Sequence, residues 1–179
     1  MPHILELIRD DHDLIRSLFD ELESNPETRD VRCITLRREL PGHMYAEEAT
    51  LYAYLRDRVP EEIRRSLEEH SQVREALARF EQIPLRDDAW MPALVSLRGD
   101  IEAHFATEEG DIFVLAERHL DTGHAKGLAK IGVHRLAHQA RSKLLRGGRG
   151  HDLGPVDLHR RNRIAHQGVL QIAGDRLHL

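Results

Sequence analysis

Two histidine–glutamate pairs with the same spacing stand in the chain, His43-Met44-Tyr45-Ala46-Glu47 and His104-Phe105-Ala106-Thr107-Glu108. Residues four apart lie one above the other on a helix face, so each pair aims an imidazole and a carboxylate at one point. Those donors together suit iron, zinc and manganese. Taken singly, such a pair reads most simply as a solvated intrahelical contact, and a lone histidine on an apolar face as a hydrogen-bonded core residue. The helices that carry the pairs decide between these readings.

Stepping by three and four residues predicts four of them. The first, over about 2–23, turns Leu5, Ile8, His12, Ile15, Phe19 and Leu22 inward. The second, over about 28–59, turns in Leu36, Leu40, His43, Glu47, Thr50 and Tyr54, with a break or kink expected at Pro41-Gly42 because proline removes a backbone donor. The third, over about 61–82, places His70 in a stripe of Ile63, Leu67, Val73, Leu77 and Phe80. The fourth, over about 92–119, does the same with His104 and Glu108 among Leu94, Leu97, Ile101, Ile112 and Leu115. Short connections between long helices predict an all-α, up-down-up-down four-helix bundle.

The halves repeat. A shift of 58 carries Asp11-His12 onto Glu69-His70 and Ile15-Arg16 onto Val73-Arg74. A shift of 61 carries His43 and Glu47 onto His104 and Glu108, and Glu47-Glu48-x-x-Leu51-Tyr52 onto Glu108-Glu109-x-x-Ile112-Phe113. Four histidines and two glutamates thus occupy core positions in symmetric pairs. A buried carboxylate costs several kcal/mol unless it is paired. Residues 1–120 contain 15 Arg and no Lys, and the arginines lie mostly off the inward stripes, so bound cations are the natural partners.

Six protein ligands exceed what a closed tetrahedral zinc site takes and fall short of two octahedral ions. If each glutamate bridges two ions, each ion has two imidazole nitrogens and two carboxylate oxygens. An oxo or hydroxo bridge would add a fifth ligand and leave a place for a small molecule. Iron is the preferred metal.

These residues, His12, His43-x-x-x-Glu47, His70 and His104-x-x-x-Glu108 on four helices, resemble the hemerythrin-like (HHE cation-binding) family over about 3–120. The resemblance implies a left-twisted four-helix bundle with a non-haem di-iron centre of two iron ions, held by His12, His43, Glu47, His70, His104 and Glu108. It implies binding or sensing of oxygen or a related diatomic or peroxide ligand, or an enzyme acting on peroxide, nitric oxide or ferrous iron. Oxygen-carrying members have a further histidine four residues after the one on the third helix. Here that residue is Arg74, which stays protonated and cannot ligate, so sensing, peroxide or nitric oxide chemistry, or iron storage is expected ahead of reversible oxygen carriage.

Asp11, Glu48, Glu69 and Glu109 adjoin ligand candidates and could accept from imidazole N–H groups, but a neighbouring residue points about 100° away on a helix, which favours surface charge. Tyr45, Tyr52 and Tyr54 are expected to pack, with Tyr54 the most inward.

Residues 1–120 carry 27 acidic side chains and a net charge of −12, whereas 121–179 carry 11 basic and 4 acidic ones. The boundary at 120 predicts a separate basic C-terminal extension, with a helix over about 124–145, a glycine-rich linker over 147–155 and a weak helix beyond. Its charge could meet an acidic partner, and docking on the acidic bundle or disorder is the preferred reading. Nucleic acid is disfavoured because no reading helix or aromatic platform is recognisable. One cysteine, Cys33, and the lack of a membrane-spanning run or signal-like start predict a cytoplasmic protein.

Overall fold

The computed structural model describes residues 3–132, which lie within one compact unit, Met1–Leu136. The expected linker, the terminal helix and the end of the helix placed over 124–145 fall outside the described residues. Helix α1 (Ile4–Ser24) is followed by a 3-10 turn at Pro26–Thr28, then α2 (Arg29–Ala49), α3 (Leu51–Leu55) and α4 (Pro60–Phe80). Helix α5 (Trp90–Thr107) continues through a π-helical turn, Glu108–Ile112, into α6 (Phe113–His119). A further helix, α7, covers 122–132. No strand occurs among the described residues, and the four-helix bundle is that expected.

Local chemistry sets the helix ends. His3 caps α1 reciprocally: its Nδ1 accepts from the Leu5 N–H at 3.3 Å and its own N–H donates to Glu6 at 2.8 Å. Helix α4 begins on Pro60 with Glu61 and Glu62 in its first turn, where proline loses no helical bond and carboxylates meet the positive helix end.

Packing closes a ring in which α1 lies against α2 and α5, and α4 against α2 and α5. Two apolar clusters fill it. One includes Ile15, Phe19, Leu36, Leu40, Val73, Leu94 and Phe105. The other includes Ile4, Ile8, Leu51, Tyr52, Ile63 and Phe113, with Ala125 and Ala129 of α7 buried among them. The first turns of the extension therefore pack on the bundle. Between the clusters lies a layer of buried polar residues containing all six candidate ligands.

Two expectations about irregularity are corrected. Pro41 sits inside α2 without ending it, so the chain does not break there; the second helix is interrupted at Thr50, at φ −124° and ψ −85°. The Thr50 hydroxyl donates back to the Ala46 carbonyl at 2.6 Å, a bond that bends helices. The fourth helix is not a continuous α-helix either, since it widens into the π turn at Glu108. The first departure falls three residues after Glu47 and the second begins on Glu108 itself, and π turns are common at functional sites. Both departures re-aim the residue five positions after the glutamate, so Tyr52 and Phe113 are each buried to 1% exposure. Tyr54, expected to be the most inward tyrosine, instead reaches the His119 carbonyl at the surface.

Candidate metal centre

Helix α1 supplies His12, α2 supplies His43 and Glu47, α4 supplies His70, α5 supplies His104, and the π turn supplies Glu108. All six are buried. Their ligand atoms converge in two groups, His12 with His43, Glu47 and Glu108, and Glu47 with His70 and His104, each within 4.8 Å. Glu47 is common to both. Its Oε1 lies 3.1 Å from His43 Nε2 and 3.7 Å from His12 Nε2, while its Oε2 lies 3.3 Å from His70 Nε2.

The geometry is less symmetric than an arrangement in which both glutamates bridge. Glu108 turns Oε2 toward His12 Nε2 at 3.2 Å, but its Oε1 accepts a 2.6 Å hydrogen bond from the Tyr52 hydroxyl. The duplicate of Tyr52 is Phe113, which has no hydroxyl to offer Glu47. One oxygen atom in the repeat thus separates a carboxylate with both oxygens free from one with a single free oxygen. The two aromatics otherwise match: Tyr52 stacks on His70 with ring centroids 5.2 Å apart and Phe113 on His12 at 6.3 Å.

The four neighbouring carboxylates are not simply surface charge, which corrects the sequence reading. His12 Nδ1 lies 2.7 Å from Glu109, His70 Nδ1 2.9 Å from Glu48, His104 Nδ1 3.0 Å from Glu69 and His43 Nδ1 3.7 Å from Asp11. Each carboxylate comes from one helix of the ring and faces the imidazole of the next. A bond that fails to form along one helix is made across the interhelical gap, which spacing within a single helix does not reveal. Since a carboxylate only accepts, the Nδ1 atoms of His12, His70 and His104 carry the hydrogens, and Nε2 keeps its lone pair for the interior when the ring is neutral.

Arginines tie down two of these carboxylates. Arg74 donates to Glu48 at 2.5 Å, and Arg16, its duplicate, donates to Glu109 at 3.1 Å. Arg74 thus stands behind His70 rather than among the interior donor atoms. Burial alone would raise the Glu48 and Glu109 carboxyls, but the His70 and Arg74 partners of the first, and the His12 and Arg16 partners of the second, hold both below the usual carboxylate range.

His12 Nε2, His43 Nε2, both Glu47 oxygens and Glu108 Oε2 are buried without a hydrogen-bond partner. Orphaned buried polar atoms are rare in folded proteins, and five of the seven such side-chain atoms among the described residues are ones the donor set turns inward. This chain's residues fit metal ions on that ground.

In the metal-free chain protons take part of that role. Burial depresses His12, yet Glu108 and Glu47 beside its Nε2 outweigh it and raise the pKa to about 10. His70, likewise depressed by burial, is raised to about 9 by Glu47 and Glu48. His104 is lowered, by burial and by the His70 charge. Groups raised in the folded state stabilise it fully below the unfolded value of 6.5 and lose that contribution as pH climbs through 9 and 10. Metal-free protein should therefore melt at lower temperature as pH rises from 6.5 toward 10. Metal loading at neutral pH should release a proton from each of His12 and His70, since a ligating imidazole is neutral. Calorimetry in buffers of differing ionisation enthalpy reads that release, and loading without it would contradict the paired-proton state.

The model of the hemerythrin HHE cation binding domain family matches residues 3–116, which spans α1 through most of α6 and stops before α7. Among solved structures, the chain is similar to a hemerythrin HHE cation binding domain-containing protein from Mycobacterium kansasii, with a TM-score of 0.74 and 22% identity over 81% of this chain and 91% of that one. At that identity the likeness is one of fold. No curated protein matches the chain. No helix among the described residues is long and apolar enough to cross a membrane.

Proposed function

The chain belongs to the hemerythrin HHE cation-binding family, and from that premise we propose that it holds two iron ions and binds or senses dioxygen or a related small ligand. The carrying observation is the pair of donor groups joined through Glu47, in which His12 Nε2, His43 Nε2, both Glu47 oxygens and Glu108 Oε2 have no hydrogen-bond partner, while His70 Nε2 and His104 Nε2 meet each other at 3.0 Å. His12, His43 and Glu108 would hold one ion, His70 and His104 the other, and Glu47 both. Imidazole and carboxylate donors without a thiolate suit iron. Bound iron supplies one-electron chemistry and a coordination position for the incoming molecule.

The chain's own contributions are orientation and proton placement. Glu109, Glu48 and Glu69 fix their imidazoles through Nδ1, so that three Nε2 atoms are aimed at the interior before any ion arrives, and those of His12 and His70 exchange a proton for it. Tyr52 keeps its proton between its own oxygen and Glu108 Oε1, with His70 Nε2 3.4 Å away. Burial, first, and the Glu108 and Glu47 charges, second, push its pKa well above the usual value, so it stays a donor at all physiological pH.

That retained proton favours a second reading, in which the same centre turns over peroxide, nitric oxide or ferrous iron. Tyr52 would act there as a buried hydrogen-bond donor beside the centre, keeping its proton on the phenol. Both readings share one test. Iron-loaded protein, reduced without air and then exposed to it, should develop the near-ultraviolet and visible charge-transfer bands of bridged ferric iron. A spectrum unchanged by air would overturn both, and catalytic loss of added peroxide would favour the second.

A further inference from the structure

We propose that a cavity between α1, α2 and α7 is the path by which a small neutral molecule reaches the His12–His43–Glu47–Glu108 group, an inference that rests on the iron reading above. The cavity has a volume of about 170 Å³. Apolar cavities of ~150 Å³ bind benzene or xenon, and a water occupies ~30 Å³, so a diatomic has ample room.

Its walls and floor differ in character. Ile4, Leu7 and Ile8 of α1 and Ala46 of α2 line it, and Gly132 contributes from α7. His43 and Glu47, both buried, also line it, which places the cavity beside the donor group. Asp11 also lines it, and its 3.7 Å separation from His43 Nδ1 is the widest of the four imidazole–carboxylate distances. His43 is accordingly the least restrained of the four imidazoles, and both its nitrogens lack a hydrogen-bond partner.

The repeat shows that the lining is particular to one side. The shift of 58 that relates His12 to His70 carries Ile4, Leu7 and Ile8 onto Glu62, Arg65 and Ser66. Ser66 is buried, with its hydroxyl donated to the Glu62 carbonyl at 3.2 Å. Near the second group, Tyr52 fills the interior, its ring on His70 and its hydroxyl on Glu108. The two halves of a duplicated bundle thus diverge, one toward an apolar cavity beside its donors and the other toward polar and aromatic filling.

The lining also names the class of molecule. Aliphatic walls favour a weakly polar one, and the Asp11 and Glu47 carboxylates repel an anion. Dioxygen and nitric oxide fit both conditions. The α7 wall lies beyond the residues matched by the family model and supplies no donor, so substitutions there would alter access without touching one.

The test uses the full-length iron-loaded protein, reduced without air and mixed rapidly with dioxygen. Leu7 is only partly buried, so Leu7→Trp can fill the mouth while leaving the donors in place. Oxidation should slow about tenfold or more, and Leu7→Ala should speed it, with iron content unchanged in both. Arg65→Trp, at the duplicate position on the other side, should leave the rate alone. Xenon added to metal-free protein gives a readout independent of iron: wild type and Arg65→Trp should shift the xenon resonance, and Leu7→Trp should not. Equal oxidation rates and equal xenon shifts in wild type and Leu7→Trp would overturn the path. If the wild type does not react with dioxygen at all, the iron reading fails, and the xenon comparison alone decides the cavity.

Discussion

Replacing Glu47 with alanine is expected to remove both metal ions rather than one. Its two oxygens face opposite groups, Oε1 toward His43 and His12 and Oε2 toward His70, and no other side chain belongs to both groups. Loss of a supporting hydrogen bond behind a ligand typically lowers metal affinity ~10–100-fold. Glu48→Ala, which removes the partner of His70 Nδ1, should fall in that range. Glu47→Ala should exceed it for both ions, because it deletes the ligand itself twice over. Equilibrium dialysis against ferrous iron without air separates the cases. Retention of a full equivalent by Glu47→Ala would mean that the two groups are independent sites.

Phe105→Ala should be among the most destabilising single changes. Phe105 has 0% exposure and stacks on His12 with ring centroids 3.8 Å apart and planes within 17°. Its ring also meets His43 edge-on at 5.5 Å and lies under the Arg16 guanidinium at 5.3 Å. Truncating a buried phenylalanine costs about 3–5 kcal/mol through lost transfer energy and the cavity left behind. Urea unfolding of the metal-free variant should show that loss without a change in slope. Iron affinity should fall as well, and more for the ion held by His12 and His43 than for its neighbour, because the ring positions those two imidazoles. A cost below about 1 kcal/mol would mean that the site collapses around the missing ring.

Much of this was readable in the chain because helical periodicity is a local property. His12, His70 and the two His-x-x-x-Glu pairs stood out as polar residues in otherwise apolar stripes, and burial of those positions follows from the same stepping that buries Ile15 or Leu97. The duplication then related them. What local stepping missed was whatever depended on a helix ceasing to be regular or on a contact across helices. Tyr54 follows Thr50 by four and belongs to the stripe only if α2 continues. With the interruption at Thr50, Tyr52 moved inward. The repeat held a usable signal for this, since Tyr52 and Phe113 are matched aromatics after matched glutamates, a regularity that periodicity alone leaves unexplained. Pro41 misled for the opposite reason, as packing on both sides of it carries α2 through a position whose intrinsic preference is to break. Glu48, Glu69 and Glu109 point away from the ligands beside them in sequence, as expected, but toward the imidazole of the adjacent helix, which is knowable only once the ring of helices is closed.

Arg74 changes meaning in the same way. In the sequence it is a missing ligand; in the fold it is one of two equivalent arginines, with Arg16, that anchor the carboxylates behind His70 and His12. Both arginines thereby brace the imidazoles from the periphery of the polar layer.

The central claim is that one buried layer of four histidines and two glutamates holds two ions joined by Glu47. Anaerobic titration of metal-free protein with ferrous iron, followed by metal analysis of the desalted product, tests it most directly. Two irons per chain, falling to a small fraction in Glu47→Ala, is the expected result; one iron per chain, or a content that does not respond to Glu47→Ala, would contradict it.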